Sequence, residues 1–538
     1  MTRLHADTVI INGIIHGIDG PSNHTALAIK FDRIVLVGSE SEVIETAGSN
    51  TKVMDLNGRM IIPGFIDTHI HPSMAGELFI NSINFKTLQP NSIQSFQDIV
   101  RSKTVHAYKD EWILGWGYDE ERFIEGRHPT RLDLDDLTLD NPVFITHTCG
   151  HVAVCNSKAL KLAGIEENTS DPKQGIIDRD EYGMPTGTLR NRAQQLVKQH
   201  IPPQNHNHLK NSLRLACEKL ASMGVTSIHD AWAGSNIIKA YQELLSDGNL
   251  PLRVGLMPPI ANPFEGDYLQ QLTSLGLGTG FGNSMLRIVG AKVALDGMIR
   301  SQTAALKEGY EANPNNHGLI TIDIEPLFEK IRICNLFDIR ACIHAEGDRG
   351  IDTALNAIES ALDYHFVDGH RHRIEHFGLS TSDQMRRMKK LGVIPSVSIN
   401  FINDIGEGYM KELGPERCEW IYPLKSLLEN DIVASCNSDW PVSVCNPIIG
   451  LYSAVSRKTW KDSYLGSSQS ISLKDAIKAY TWNGAYASFE EGIKGSIEEG
   501  KLADLVVLSE NPYKTPIDKL PKIKVDITIV GGKIVYQR

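Results

Sequence analysis

The sequence predicts an α/β fold: a (β/α)8 TIM barrel with a small β-sandwich built from both termini and an inserted subdomain after barrel strand 1. Three observations predict it. Apolar, β-branched runs alternate with helix-like stretches through the middle of the chain. Both ends share a different texture of short strands and glycine turns. One connection, residues 75–210, is far too long for a single βα loop.

In chain order, residues 8–62 read as short strands at 8–13, 26–31, 33–38 and 52–58. Residues 503–508 and 526–536 repeat the pattern, which assigns 1–60 and 486–538 to one composite β-sandwich. Barrel strands are expected at 61–66, 224–229, 252–257, 286–292, 339–344, 373–376, 393–398 and 432–437, with helices such as 325–337 and 381–391 between them. The barrel then comprises 61–74 and 211–485, with a doubly wound sheet as the alternative. The inserted subdomain, 75–210, contains Trp112, Trp116 and Tyr118, which are expected to pack within it rather than to touch a substrate.

A chain of 538 residues exceeds one small core. A net charge of -11 argues against a nucleic-acid or anionic-membrane surface. No apolar run approaches the ~20 residues of a membrane span, and the start, Met1-Thr-Arg-Leu-His-Ala-Asp7, has no apolar leader core. Eight cysteines without paired spacing fit reduced thiols in a cytoplasmic protein. The expected partner is a small-molecule substrate, not nucleic acid or membrane, with a homodimer as the assembly to test.

Chemistry is concentrated at the strand ends, where barrel active sites are built. Pro63-Gly-Phe-Ile-Asp-Thr-His-Ile-His-Pro72 ends an apolar run in two histidines one residue apart. A strand alternates faces with period two, so His69 and His71 point the same way, as a transition-metal pair would. Lys292 lies on strand four, and His344, His376 and Asp439 close strands five, six and eight. Other motifs carry less. His370-Arg-His372 lies at the entry end of strand six and reads as structural. Gly495-Ser-Ile-Glu-Glu-Gly-Lys501 imitates a phosphate loop but lacks the following hydroxyl and carries two glutamates, so a turn is the better reading. Cys342 and Cys436 read as core residues.

The chain resembles the amidohydrolase superfamily, specifically the YtcJ-like branch (amidohydrolase family 3) that includes N-substituted formamide deformylase. The resemblance rests on Gly64-Phe-Ile-Asp-Thr-His-Ile-His71, Gly150-His-Val-Ala-Val-Cys-Asn-Ser-Lys-Ala-Leu160, Ala291-Lys-Val-Ala-Leu-Asp-Gly297, His344-Ala-Glu-Gly-Asp348, Arg373-Ile-Glu-His376, Ser438-Asp-Trp-Pro441 and Gly495-Ser-Ile-Glu-Glu-Gly-Lys-Leu-Ala-Asp-Leu505. It implies that His69, His71, His344, His376 and Asp439 bind one or two metal ions, zinc first, with manganese or iron as alternatives. It also implies that Lys292 is carbamylated and bridges two ions. The competing reading is a neutral or salt-bridged lysine, paired with Asp296.

The resulting expectation is a metal-dependent hydrolase that cleaves a carbon–nitrogen bond in a non-peptide, formamide-like amide. A metal acidifies water toward ~7 and polarises a carbonyl, and Asp439 passes the proton to the leaving amine. The alternatives are hydrolysis of a cyclic amide, ester or lactone, deamination of a ring, and a non-catalytic scaffold, which retention of all five ligands disfavours. His151, drawn in by the resemblance, with His229, Arg300 and Trp440, are the substrate-contact candidates. Relatives usually carry an arginine near the Gln302 position, and Arg300 is the residue here that could recognise an anion.

Overall fold

The computed structural model describes residues 5–538 except 81, 106, 139, 203–204 and 262–265. Residues 1–4, the beginning of the segment read above for a leader, lie outside the described residues. Among the described residues no helix is long and apolar enough to cross a membrane.

Parallel strands follow one another in chain order. Phe65–Ile70, Val225–Asp230, Arg253–Leu256 and Leu286–Ile288 form one sheet. Pro259–Ala261, Ala291–Ala294, Ala341–Ala345, Arg373–His376, Ile394–Val397 and Ser435–Cys436 form a second. The third and fourth chain passes enter both sheets and are bonded across the break, Val289 N donating to Leu256 O (3.0 Å) and Lys292 N to Pro258 O (2.9 Å). The last pass meets the first: Asp439 N donates to His69 O (3.0 Å) and His71 N to Trp440 O (2.9 Å). This is the α/β arrangement of a TIM-barrel-type fold.

Helices between the strands cover the outer face. Asp348–Tyr364 buries Ile351, Ala354, Leu355, Ile358 and Leu362, a stripe at helical spacing. Ser382–Leu391 opens on a reciprocal cap, Thr381 Oγ1 accepting from Gln384 N (3.3 Å) and Gln384 Oε1 from Thr381 N (2.9 Å), and stops at Gly392 with φ 70°.

The strand expected over 61–66 is two strands. Met60–Pro63 pairs with Leu505–Leu508 and Ile14–Gly17, whereas Phe65–Ile70 begins the parallel set. The break falls at Gly64, where a Cβ would stand 2.1 Å from Thr226 Oγ1, so glycine permits the close approach of the second parallel strand. Met60–Pro63 belongs to a six-stranded sheet that also contains Val525–Val530 and Lys533–Gln537. A four-stranded sheet of Thr8–Ile11, Ala26–Lys30, Arg33–Gly38 and Lys52–Asp55 faces it. Ile10, Leu27, Ile29, Ile61, Leu505, Val507 and Ile527 share one apolar cluster between them. Arg253 grips Asp504 from the parallel set, Nε to Oδ2 at 2.6 Å and Nη2 to Oδ1 at 2.9 Å, with both side chains buried.

The segment after the first parallel strand has its own six-stranded sheet, ordered Gly175–Arg179, Pro185–Asn191, Val152–Cys155, Val143–His147, Ile113–Tyr118 and Ile83–Asn84. An apolar cluster lies on each side of it. Its links to the parallel set include Trp116 Nε1 donating to Pro441 O (3.3 Å) and Lys86 Nζ to Asp404 (2.8 Å).

Candidate metal centre

Strand alternation sends Asp67 and His69 inward from the first parallel strand and Arg373 and Glu375 inward from the sixth. Simple alternation would turn His376 away. Instead, its φ of 69°, followed by 49° at Phe377, swings it back. Asp439 likewise has φ 52°. His71 lies one residue beyond its strand and precedes the helix Pro72–Glu77.

The rings converge: centroids are 5.4 Å apart for His69 and His71, 4.6 Å for His69 and His376, and 4.3 Å for His344 and His376. Asp439 Oδ1 is 3.0 Å from His71 Nε2 and 3.6 Å from His69 Nε2. Ligand atoms of His69, His71 and Asp439 all lie within 4.8 Å of one another. Zinc with ligands at about 2.0–2.2 Å in a tetrahedron holds them roughly 3.3–3.6 Å apart, so the set fits a small divalent ion. One buried atom supports the fit, since Asp439 Oδ1 makes no hydrogen bond.

Outer contacts orient the rings. His69 Nδ1 is 2.5 Å from Glu375 Oε2, leaving Nε2 toward the centre. Glu375 is held by Arg373, Nε to Oε1 at 2.8 Å. His376 Nδ1 bonds Ser398 Oγ (2.8 Å), and His344 Nε2 bonds Gly297 O (3.1 Å). Fixing one nitrogen of each ring presents the other. Burial, reinforced by the Lys292 cation, holds His69 well below the usual imidazole range and His344 at about 3. Burial and neighbouring imidazoles do the same for His376. These rings are therefore neutral, as metal ligands require.

Lys292 Nζ is 2.9 Å from His69 Nε2 and 5.1 Å from the Trp232 ring centroid. Burial lowers it to about 8, opposed by Glu375 and Asp439. As an ammonium it occupies the lone pair that a metal would use, so the set fits an ion only with Lys292 deprotonated or derivatised. The pairing of Lys292 with Asp296 is not found. Asp296 instead accepts from the backbone N–H groups of Ala305, Glu346 and Gly347 at 3.0–3.1 Å, and burial raises it to about 8.

The centre lines a cavity of about 420 Å³. His151 lies on its wall, Nδ1 against Asn191 Oδ1 (3.0 Å). The other three substrate-contact candidates do not line this cavity. His229 is buried behind it, its Nδ1 taken by Arg373 Nη1 (2.9 Å). Arg300 is spent on Asp119, with Glu121 at 3.4 Å. Trp440 offers its carbonyl to His71 N and lies tilted at 50° against Phe79. Trp116 does reach the cavity, contrary to the packing expectation, while Tyr118 stays in the insertion's core.

Sequence reasoning missed Glu375, Glu346 and the insertion's Gln194. Glu375 sits beside His376 on the inward face, a signal that strand period could have supplied. Glu346 reaches the cavity because the hydroxyls of Tyr409 (2.5 Å) and Tyr422 (2.9 Å) and Ile299 N (2.9 Å) hold it. These partners are distant in sequence and leave no local signal.

Residues 52–536 match the profile of the Amidohydrolase family. YtcJ of Bacillus subtilis strain 168 is 29% identical over 93% of this chain and 94% of its own. The N-substituted formamide deformylase of Arthrobacter pascens is 27% identical over 100% and 99%. A metal-dependent hydrolase from Pyrococcus furiosus, solved by crystallography, superposes with a TM-score of 0.74 at 29% identity, covering 94% of this chain and 100% of that one.

Proposed function

Because this chain belongs to the amidohydrolase family, and so to metal-dependent hydrolases, we propose that it cleaves the carbon–nitrogen bond of a small formamide-like, non-peptide amide at a zinc centre. The observation that carries this reading is the convergence of His69, His71 and Asp439 on one wall of a cavity. The likeness to an N-substituted formamide deformylase supports the substrate class.

When bound, the ion supplies Lewis acidity toward a carbonyl oxygen and toward water. His69, His71, His344 and His376 would hold it, with Asp439 completing the set. Asp439 also moves a proton. Its carboxylate takes one up and returns it to the leaving nitrogen. His151, neutral because burial lowers it, gives Nδ1–H to Asn191 and presents Nε2 as an acceptor for a substrate N–H. Met74, Trp116, Phe401 and Val442 line the cavity with apolar surface and thin the water around the reacting group. Lys292, as a carbamate, would no longer compete for His69 Nε2 and would offer two oxygens to a pair of ions.

Metal analysis of the purified protein, followed by a kinetic screen of N-formyl, N-acyl and cyclic amides with zinc or manganese, tests the reading. Turnover of N-formyl amides is the expected result. Turnover confined to esters, lactones or ring amines would replace it.

A further inference from the structure

A second constellation lies outside the metal wall. Cys149 Sγ is 2.9 Å from His147 Nδ1, and His147 Nε2 is 2.6 Å from Glu120 Oε2. The three form a thiol–imidazole–carboxylate chain of the geometry that activates a nucleophile. His128 stands 3.7 Å behind Glu120, and Arg300 already pairs with the adjacent Asp119, which leaves Asp119, Glu120 and His147 little use for a metal ion. Only the cysteine end opens onto the metal cavity, where Cys149, Gly150 and His151 form part of the wall. Beside it, Gln194, a residue of the same wall, is 3% exposed; its Nε2 donates to Gly150 O (3.1 Å) while its Oε1 is buried without a partner. A buried acceptor with nothing to accept points to a ligand carrying an N–H.

We propose that Cys149 is a covalent modification site, a thiol activated by His147 and Glu120 that captures small soft electrophiles bearing an amide N–H as they enter the metal cavity. With an α,β-unsaturated amide, the sulfur forms a bond to the β-carbon and the alkene electron pair moves to the α-carbon. The thiol proton passes to His147 Nδ1 and from there to the α-carbon, so the addition balances without a further reactant. With a haloacetamide the carbon–halogen bond breaks instead, and halide leaves with its electron pair.

The contrast with the other cysteines is internal to the chain. Burial acts to raise Cys149, but His147 overcomes it and draws the thiol below its ordinary range. Burial pushes Cys155, Cys217, Cys334, Cys342, Cys418, Cys436 and Cys445 up.

The test is timed iodoacetamide alkylation of the metal-loaded full-length protein at pH 7, with peptide mapping of all eight cysteines. Cys149 should react first, about tenfold or more faster than any other, because thiolate content outweighs the lower intrinsic nucleophilicity. Glu120→Gln should slow it about tenfold, and Cys149→Ser should remove the fast adduct. Reaction of Cys149 no faster than Cys334 would overturn the proposal, as would a wild-type rate in folded Glu120→Gln. Full protection by one further equivalent of zinc would also overturn it, in favour of a metal-binding thiol. If Glu120→Gln does not fold, the ranking within the wild-type protein still decides.

Discussion

Glu375 fixes the tautomer of His69, so the centre is sensitive to that carboxylate although it touches no ion. Glu375→Gln keeps the shape but weakens the acceptor, so metal affinity should fall about 10–100-fold in a chelator competition. His69→Ala and His376→Ala should each lose bound metal while the circular-dichroism spectrum persists, because each removes a ligand rather than packing. Full metal stoichiometry in both would refute the assignment. A pH dependence follows from the second constellation. Against the burial that would lower it, Glu120 lifts His147 from 6.5 to about 10, and against the burial that would raise it, His147 holds Glu120 below its usual 4.5. The raised imidazole stabilises fully below about 6.5 and loses that contribution as pH climbs through 10; the depressed carboxylate contributes above 4.5 and loses it in acid. The excess thermal stability of wild type over Glu120→Gln should therefore be greatest between about pH 4.5 and 6.5 and shrink toward pH 10. The pair His69 and His71 was legible because a period of two puts both on one face, whereas the inward turn of His376 depends on its positive φ, which no period encodes. His229, Arg300 and Trp440, chosen by their place at or beyond strand ends, missed the cavity. Their partners, Arg373, Asp119 and the His71 amide, are chosen by tertiary packing that no local pattern encodes.

Among the elements, the short helix Pro72–Glu77 bears most directly on the ligands, since it starts at His71. Gly76 on this helix sits against the helix His206–Ala221, and a Cβ there would lie 2.0 Å from Ser212 O. Backbone offers no rotamer to relieve that overlap. Gly76→Ala should cost about 1–3 kcal/mol, read as a lower Tm, and should displace His71 enough to weaken metal binding. The alternation of strand and helix was legible because periods of two and 3.6 differ sharply, and the helices expected over 325–337 and 381–391 occur at Ile324–Leu336 and Ser382–Leu391. The division at Gly64 was not. An unbroken apolar run hides a glycine whose importance lies in Thr226, far along the chain.

At the scale of the whole molecule, the parallel set and the terminal sheets are riveted by Arg253 and Asp504. Removing one partner leaves the other charge buried and alone, so Asp504→Ala should destabilise by about 3–5 kcal/mol in calorimetry. Separate melting of two units would indicate that this pair is the principal coupling. The TIM-barrel-type fold was legible from repetition over a long stretch. The roles of the insertion's residues in the cavity wall were not, since Cys149, Asn191 and Gln194 arrive there only by the folding of one sheet over another. The bonds between Asp439 and His69, and between His71 and Trp440, carry a further consequence, for biosynthesis. A ribosome delivers His69 long before Asp439, and until the eighth strand emerges the first presents an unpaired edge. If the proposed set holds an ion, its capture falls late in translation, and a chain that stalls before residue 439 is left with an open edge and without Asp439.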